Sequence, residues 1–227
     1  MLIKFGSIVT DGRGKLGGHV YSKNRGGAYV RTNAIPSNPQ TSHQQAGRGR
    51  LGTLSQQWST LTASQIAAWN AAAPDFPRTN VFGDQKLLSG KNLFVGINYM
   101  MLLVGESVSS TPPVPSEVEV ATDLNISQPV TTGGSEAFEI EPTVTGEIDH
   151  LVVEATAPMT AGTSYFKNKL RVIKVEDNYS TGEIDVWDEY VARFGEPVSG
   201  KRIGIRVYGV NNSGQKSPGF SSSIVVS

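Results

Sequence analysis

Residues 200–226 read GKRIGIRVYGVNNSGQKSPGFSSSIVV: an alternating run from Lys201 to Val210, a polar turn through Asn212-Ser-Gly214, and a second β-prone run from Ser221 to Val226. Alternation with period two sends successive side chains to opposite faces of a strand, and a glycine-containing polar break between two such runs signals strand, turn, strand. Working back from this pair, further short β-forming runs stand at Glu117–Ala121, Ala137–Glu141, His150–Ala155 and Leu170–Val175, punctuated by Thr132-Gly-Gly134 and Thr145-Gly146. Strands recurring at this interval over about 110 residues predict a seven-strand all-β sandwich.

Upstream, Ser107–Ser116 reads SVSSTPPVPS. Proline and serine together disfavour both helix and sheet, so this is the expected linker. It divides the chain into a glycine-rich basic arm (1–37), a helical subdomain (38–106), the linker (107–116) and the sandwich (117–227). In the arm, the runs His19–Lys23 and Ala28–Thr32 flank Asn24-Arg25-Gly26-Gly27, which predicts a β-hairpin. Ile35–Pro39 follows as an extended connector, because each proline pushes its predecessor out of the α region.

Thr41 and Gln44 have the spacing of a capping box, opening a helix with Leu51, Leu54 and Trp58 on one face, weakened by Gly47, Gly49 and Gly52. Thr62 and Gln65 form a second such box, followed by Ile66 and Trp69, and Pro74 ends that helix. The short connection predicts an αα-hairpin with both tryptophans in its seam. Asp75–Lys91 reads as loop. Asn92–Val104 is helical and so apolar toward its end that something must cover it. The expected fold class is therefore α+β for the N-terminal region, a β-hairpin arm plus three short helices, followed by an all-β sandwich.

The chain's 20 basic and 20 acidic residues cancel, yet they are unevenly spread. Residues 1–60 carry eight basic residues against Asp11 alone, and residues 110–227 carry nine against sixteen acidic ones. Such asymmetry predicts a basic end that meets something acidic. The absence of cysteine excludes a disulfide scaffold and thiol chemistry. No secretory signal and no run long enough to span a bilayer are visible, so a soluble protein is expected.

Two resemblances add to this reading. Gly200–Val226 resembles the last two strands of a fibronectin type III module, with coverage over residues 112–227. The segment from Tyr165 to Phe194 is longer than that family has there and leaves the central strand order open. The N-terminal region carries Gly14-Lys15-x-Gly17, Gly26-x-x-Tyr29-Val30-Arg31, Asn38-Pro39-x-Thr41-x-x-Gln44, Arg48, Trp58-x-x-Leu61-Thr62-x-x-Gln65-x-x-Ala68-Trp69-Asn70 and Gly90-x-Asn92-x-Phe94. As an ordered set these resemble small structural proteins of tailed bacteriophages and prophages. The resemblance implies a virion component, assembled in the bacterial cytoplasm in many copies, with coat, portal or tail proteins as partners.

The chemical motifs point the same way. Gly12, Gly14 and Gly17 satisfy G-x-G-x-x-G, but β-forming residues follow instead of the helix that would receive a pyrophosphate. His19, His43 and His150 are dispersed without a second ligand at metal spacing, and no G-x-S-x-G elbow exists. Glu117/Glu119 and Glu139/Glu141 alternate along expected strands, on faces open to water. No catalytic, metal or cofactor site is expected, and the protein is read as non-enzymatic. The candidate partner-binding residues are Lys15, Lys23, Arg25, Tyr29, Arg31, Arg48 and Arg50. A glycine-lined hairpin bearing arginines suits strand addition to a neighbour or charge pairing. Two alternatives remain open: an adhesion module built on the sandwich, and a packaging protein whose cations neutralise phosphates while Tyr21 and Tyr29 stack bases.

Overall fold

The computed structural model describes residues 2–4, 6–7, 11–34, 37–38, 40–80, 82–130 and 136–227. Among them the chain is mixed α and β, with four α-helices and several antiparallel sheets. It divides into two compact units: Met1–Gly96 with Ser110–Pro112, and Ile97–Ser109 with Pro113–Ser227. The connector expected at Ile35–Pro39 lies partly, and the turn expected at Thr132-Gly-Gly134 wholly, outside the described residues.

The first unit opens with a three-stranded antiparallel sheet, β1 (Gly14–Leu16), β2 (His19–Asn24) and β3 (Gly27–Thr32), in that spatial order. The expected hairpin is thus extended by a strand that sequence reading passed over. Leu16 pairs with His19, leaving Gly17-Gly18 as a two-residue loop in which Gly17 takes φ +55°, the left-handed region such tight loops require. Asn24 pairs with Gly27, so the second loop is only Arg25-Gly26, and the Asn24 side-chain oxygen accepts the Gly26 N–H at 2.8 Å.

Helix α1 (Ser42–Thr60) and helix α2 (Ala63–Ala72) follow, capped by Thr41 and Thr62. The two caps differ. At α2 the box is reciprocal, the Thr62 N–H donating to Gln65 and the Gln65 N–H to Thr62; at α1 only the Gln44 N–H donates to Thr41. Leu51 departs from the expected apolar face: Leu54 is fully buried, whereas Leu51 remains 47% exposed. Residues 42–53 include no buried side chain, so the first turns of α1 add nothing to the core. Where Asp75–Lys91 was expected to be loop, there is a 3₁₀ turn at Ala73–Asp75 and a small hairpin, β4 (Arg78–Thr79) and β5 (Gln85–Lys86). Asn80 organises its loop by accepting from the Phe82 and Asp84 N–H groups.

Helix α3 (Gly90–Val104) supplies Phe94, whose ring lies 5.4 Å from Trp58 and 5.3 Å edge-on to Trp69, while the Trp69 indole N–H donates to the Ser110 carbonyl. At Gly90 an added Cβ would meet the Asn70 and Trp69 backbone at 2.7–2.8 Å, so α2 and α3 meet this closely only because the position is glycine. The unit division passes through α3 and through the Pro/Ser segment.

The second unit contains β6 (Asp123–Ile126), β7 (Glu139–Thr143), β8 (Ile148–Ala155), β9 (Met159–Thr160), β10 (Arg171–Tyr179), β11 (Ile184–Asp185), α4 (Trp187–Phe194), β12 (Lys201–Val210) and β13 (Phe220–Val225). One sheet has the order β10-β8-β12-β13 with β9 on β12; the other is β11-β7-β6. Leu124, Phe138, Ile140 and Ile184 from the smaller sheet join Leu151, Val153, Ile203, Ile205 and Val207 from the larger in one core. The opposite face of the larger sheet is covered too, because Val152, Tyr208 and Val210 pack with Val104, Met100 and Leu103 of α3. That second cover explains why β12 is buried almost throughout instead of at alternate residues.

Three expectations about this unit change. Glu117–Ala121 forms no strand. Its backbone passes so close to Gly209 that an added Cβ there would stand 2.9 Å from the Glu119 carbonyl, and the preceding residues are held by Gln215, which bonds the Val114 carbonyl and the Ser116 N–H. Glu117 and Glu119 therefore do not alternate on a strand face, and Glu119 instead accepts from the Thr145 hydroxyl. The segment from Tyr165 to Phe194 contains β10, longer than expected, and the unexpected α4. Asp185 accepts from the Trp187 N–H at its start, Asp188 and Glu189 sit in its first turn, Arg193 in its last, and Gly195 takes φ +81° beyond its end.

Candidate functional site

The register of β1–β3 decides which arm residues act together. In an antiparallel sheet directly paired residues share a face. Lys15 pairs with Val20, and Val20 with Arg31, so the three strands place Lys15 and Arg31 in one rung on one face. Tyr29 is on that face one rung along, paired with Ser22 and, through an isolated bridge, with Leu2. Lys23 is on the other face, paired with Ala28, and Arg25 occupies the β2–β3 loop. Arg48 and Arg50 stand on α1, a separate element. Of the seven candidates, the sheet thus unites Lys15, Tyr29 and Arg31, and separates Lys23 from them by the thickness of the sheet.

No described side chain of β1, β2 or β3 is buried, and Leu16 is 71% exposed. Sheets of this size gain stability from an apolar face packed on something else. The outer edge of β3 is engaged by the N-terminal residues, with the Ile3 N–H donating to the Ala28 carbonyl at 2.9 Å. The outer edge of β1 pairs with no strand among the described residues. Lys4 continues this attachment by bonding Asp84 at 3.1 Å. The Asn80 amide, and then Lys4, hold the Asp84 carboxyl below its ordinary range.

The glycine motif belongs to this sheet. Gly14 opens β1, Gly17 turns into β2, and the next helix among the described residues begins only at Ser42, so the glycines lead into a strand and not into a helix N-terminus.

His150 is what dispersed sequence positions concealed. It is 7% exposed, with Nδ1 2.6 Å from Asp177 Oδ1 and Nε2 3.0 Å from Asn212 Oδ1. Glu106 Oε1 lies 3.7 Å from the same Nε2. A histidine–carboxylate pair is half of a nucleophile-activating relay, but here the other ring nitrogen faces an amide, not a hydroxyl or thiol. The group fastens β8 and β10 to the loop after β12. Among the described residues no set of three His, Cys, Asp or Glu side chains could hold a metal, and no helix is long and apolar enough to cross a membrane.

Comparison of the chain with known family models and with curated proteins gives no match. The functional reading rests on the residues themselves.

Proposed function

We propose that the protein is a non-enzymatic structural component of a tailed-bacteriophage particle, a capsid auxiliary or head–tail connector-region protein, anchored by its N-terminal arm and helices. The observation that carries the anchoring is the β1–β3 sheet, with no fully buried side chain on either face, unpaired at the β1 edge among the described residues and bearing Lys15, Tyr29 and Arg31 together. A coat, portal or tail protein with an acidic surface would cover it, adding a strand at β1 and carboxylates opposite Lys15 and Arg31. Glycines at the loops let a neighbouring backbone approach closely.

The ordered motif set supports placement in a particle, since its pieces fall on the exposed sheet, the caps of α1 and α2, and the Trp58–Phe94–Trp69 cluster. We further read residues 117–227 as a fibronectin type III-like sandwich. A three-stranded sheet and a four-stranded path sharing one core support that reading, with α4 as an insertion.

The test is incorporation. Full-length chain carrying Lys15→Glu and Arg31→Glu is expressed in cells producing the particles, and purified particles are quantified by mass spectrometry. Reversing two exposed charges leaves circular dichroism unchanged and lowers incorporation by roughly tenfold or more. Absence of the wild-type chain from particles, or equal incorporation of the double variant, overturns the proposal.

A further inference from the structure

The acidic half of the chain contains one concentrated exception. Of the nine basic residues after position 110, seven fall between 167 and 202: Lys167, Lys169, Arg171, Lys174, Arg193, Lys201 and Arg202. Lys174 has acidic partners in Glu189 and Glu176, and Arg206 in Glu154. Lys169, Arg171 and Lys201 have none among the described residues. Instead they line a single cleft of about 540 Å³ to which no aspartate or glutamate contributes.

The fold builds this cleft from three separate stretches. Strand β9 pairs with the start of β12, setting Lys201 directly opposite Thr160. The connection from β9 to β10 is held in shape at both ends. The Thr163 N–H donates to the Thr160 carbonyl, and the Phe166 ring rests on Gly204, where a Cβ would stand 2.4 Å from the ring. Arg171 then fixes the return, its Nη1 donating to the Leu170 carbonyl at 2.7 Å and to the Asn168 carbonyl at 3.3 Å. These bonds use one nitrogen of the guanidinium, leaving Nε and Nη2 without an acceptor among the described residues. The third stretch is the end of α4, where Phe194 gives the cleft an aromatic wall.

Charge crowding extends behind the wall. Arg193 donates to the Val172 carbonyl, and burial, followed by the positive charge of Arg171, holds its guanidinium below the usual arginine range. Lys169, Arg171 and Lys201 repel one another around a cleft lined by no carboxylate, and an oxyanion among them offsets that repulsion. A guanidinium with two free nitrogens offers paired donors to such an anion, and two lysines add point charges. The Asn168 and Thr163 side chains supply neutral hydrogen-bonding groups, and the face of Phe194 suits the apolar face of a ring.

We propose that this cleft binds a phosphate group carried on a sugar. Nothing in it distinguishes a nucleotide from a phosphorylated glycan unit, which present the same phosphate and ring. The site is independent of the β1–β3 sheet and of the anchoring assigned to it.

The experiment titrates full-length protein by NMR and calorimetry with glucose 1-phosphate, AMP, inorganic phosphate and glucose. Both phosphorylated sugars or one of them should bind with a Kd below about 1 mM, perturbing residues 160–171 and 201, and should bind at least about fivefold tighter than inorganic phosphate. AMP alone or glucose 1-phosphate alone identifies the source. Lys169→Ala and Lys201→Ala, both at exposed positions, should each weaken binding about fivefold or more and leave the thermal midpoint unchanged. Failure of both phosphorylated sugars to bind, equal binding of glucose, equal binding of inorganic phosphate, or unchanged affinity in the lysine variants each overturns the proposal.

Discussion

Strands β2 and β12 follow the same rule of alternation and end opposite in burial. In β12 seven of the ten residues are buried and only Lys201 is exposed; in β2 no residue is buried. The difference lies in what stands over each sheet. Strand β12 is central, with the smaller sheet's side chains on one face and α3 on the other, whereas β2 is central in a sheet with nothing buried on either face. Periodicity announces how a strand distributes its side chains. It does not announce whether anything will cover them.

The most forceful way to test that contrast is to remove apolar volume from each sheet. Ile205, fully buried at the centre of the larger sheet, should cost about 3 kcal/mol when replaced by alanine, because both the lost transfer energy and the residual cavity weigh on the folded state. Leu16→Ser, at a position 71% exposed, should change stability by less than about 0.5 kcal/mol in the isolated chain. Chemical denaturation of both variants measures the gap. A large loss at Leu16 would mean that the small sheet already has a core of its own.

The two caps offer a finer comparison. Thr62→Ala removes the side-chain half of a reciprocal box and should cost about 1 kcal/mol, while Thr41→Ala removes one long bond from a helix whose first turns bury no side chain and should cost less. Denaturation midpoints of the two variants check the order. Equal losses would remove the distinction between the caps.

The smallest effects are electrostatic and opposite in sign. Burial, outweighing the attraction of Arg206, raises the Glu154 carboxyl above its ordinary value of 4.5. A carboxyl raised in the folded chain contributes stability below its ordinary range and loses it as pH climbs through the raised value, so Glu154→Gln should flatten the stability profile just above pH 4.5. Asp84 is lowered from 3.8, and its contribution disappears as pH falls below that value; Asp84→Asn should flatten the profile there. Thermal melts across an acid series of buffers read both, and a slope of the same sign at the two sites would refute the assignment.

Much of this architecture is legible in the chain. The runs at His19–Lys23 and Ala28–Thr32 lie within one residue of β2 and β3, and both capping threonines begin the helices expected of them. Glycines and threonines act through neighbours in sequence, so their consequences can be read locally. Other features depend on distant residues. Leu51 has the spacing of a core position, but only a covering element could make it one. Val118 and Val120 have β-forming neighbours, but the ladder positions beside Gly209 are not available to them. Helix α4 carries its own signals in Asp185, Arg193 and Gly195 and in the helical spacing of Trp187, Tyr190, Val191 and Phe194, inside a segment whose strand order the sequence leaves open.

The candidate site shows the same boundary between local and distant. Its residue types could be named from sequence, but the pairing of Lys15 with Arg31 across Val20 depends on recognising Gly14–Leu16 as a strand and on two loops of two residues each. The basic cleft draws on residues separated by more than thirty positions and could not be seen until β9 met β12.

Lys15 occupies the middle of the three-residue edge strand β1. An unpaired strand edge is a template on which identical chains can stack into aggregates, and a short edge carrying a lysine is a poor template because each added copy would bring its charge close to the last. The ammonium on β1 therefore acts as a gatekeeper that denies this edge to another copy of the same chain.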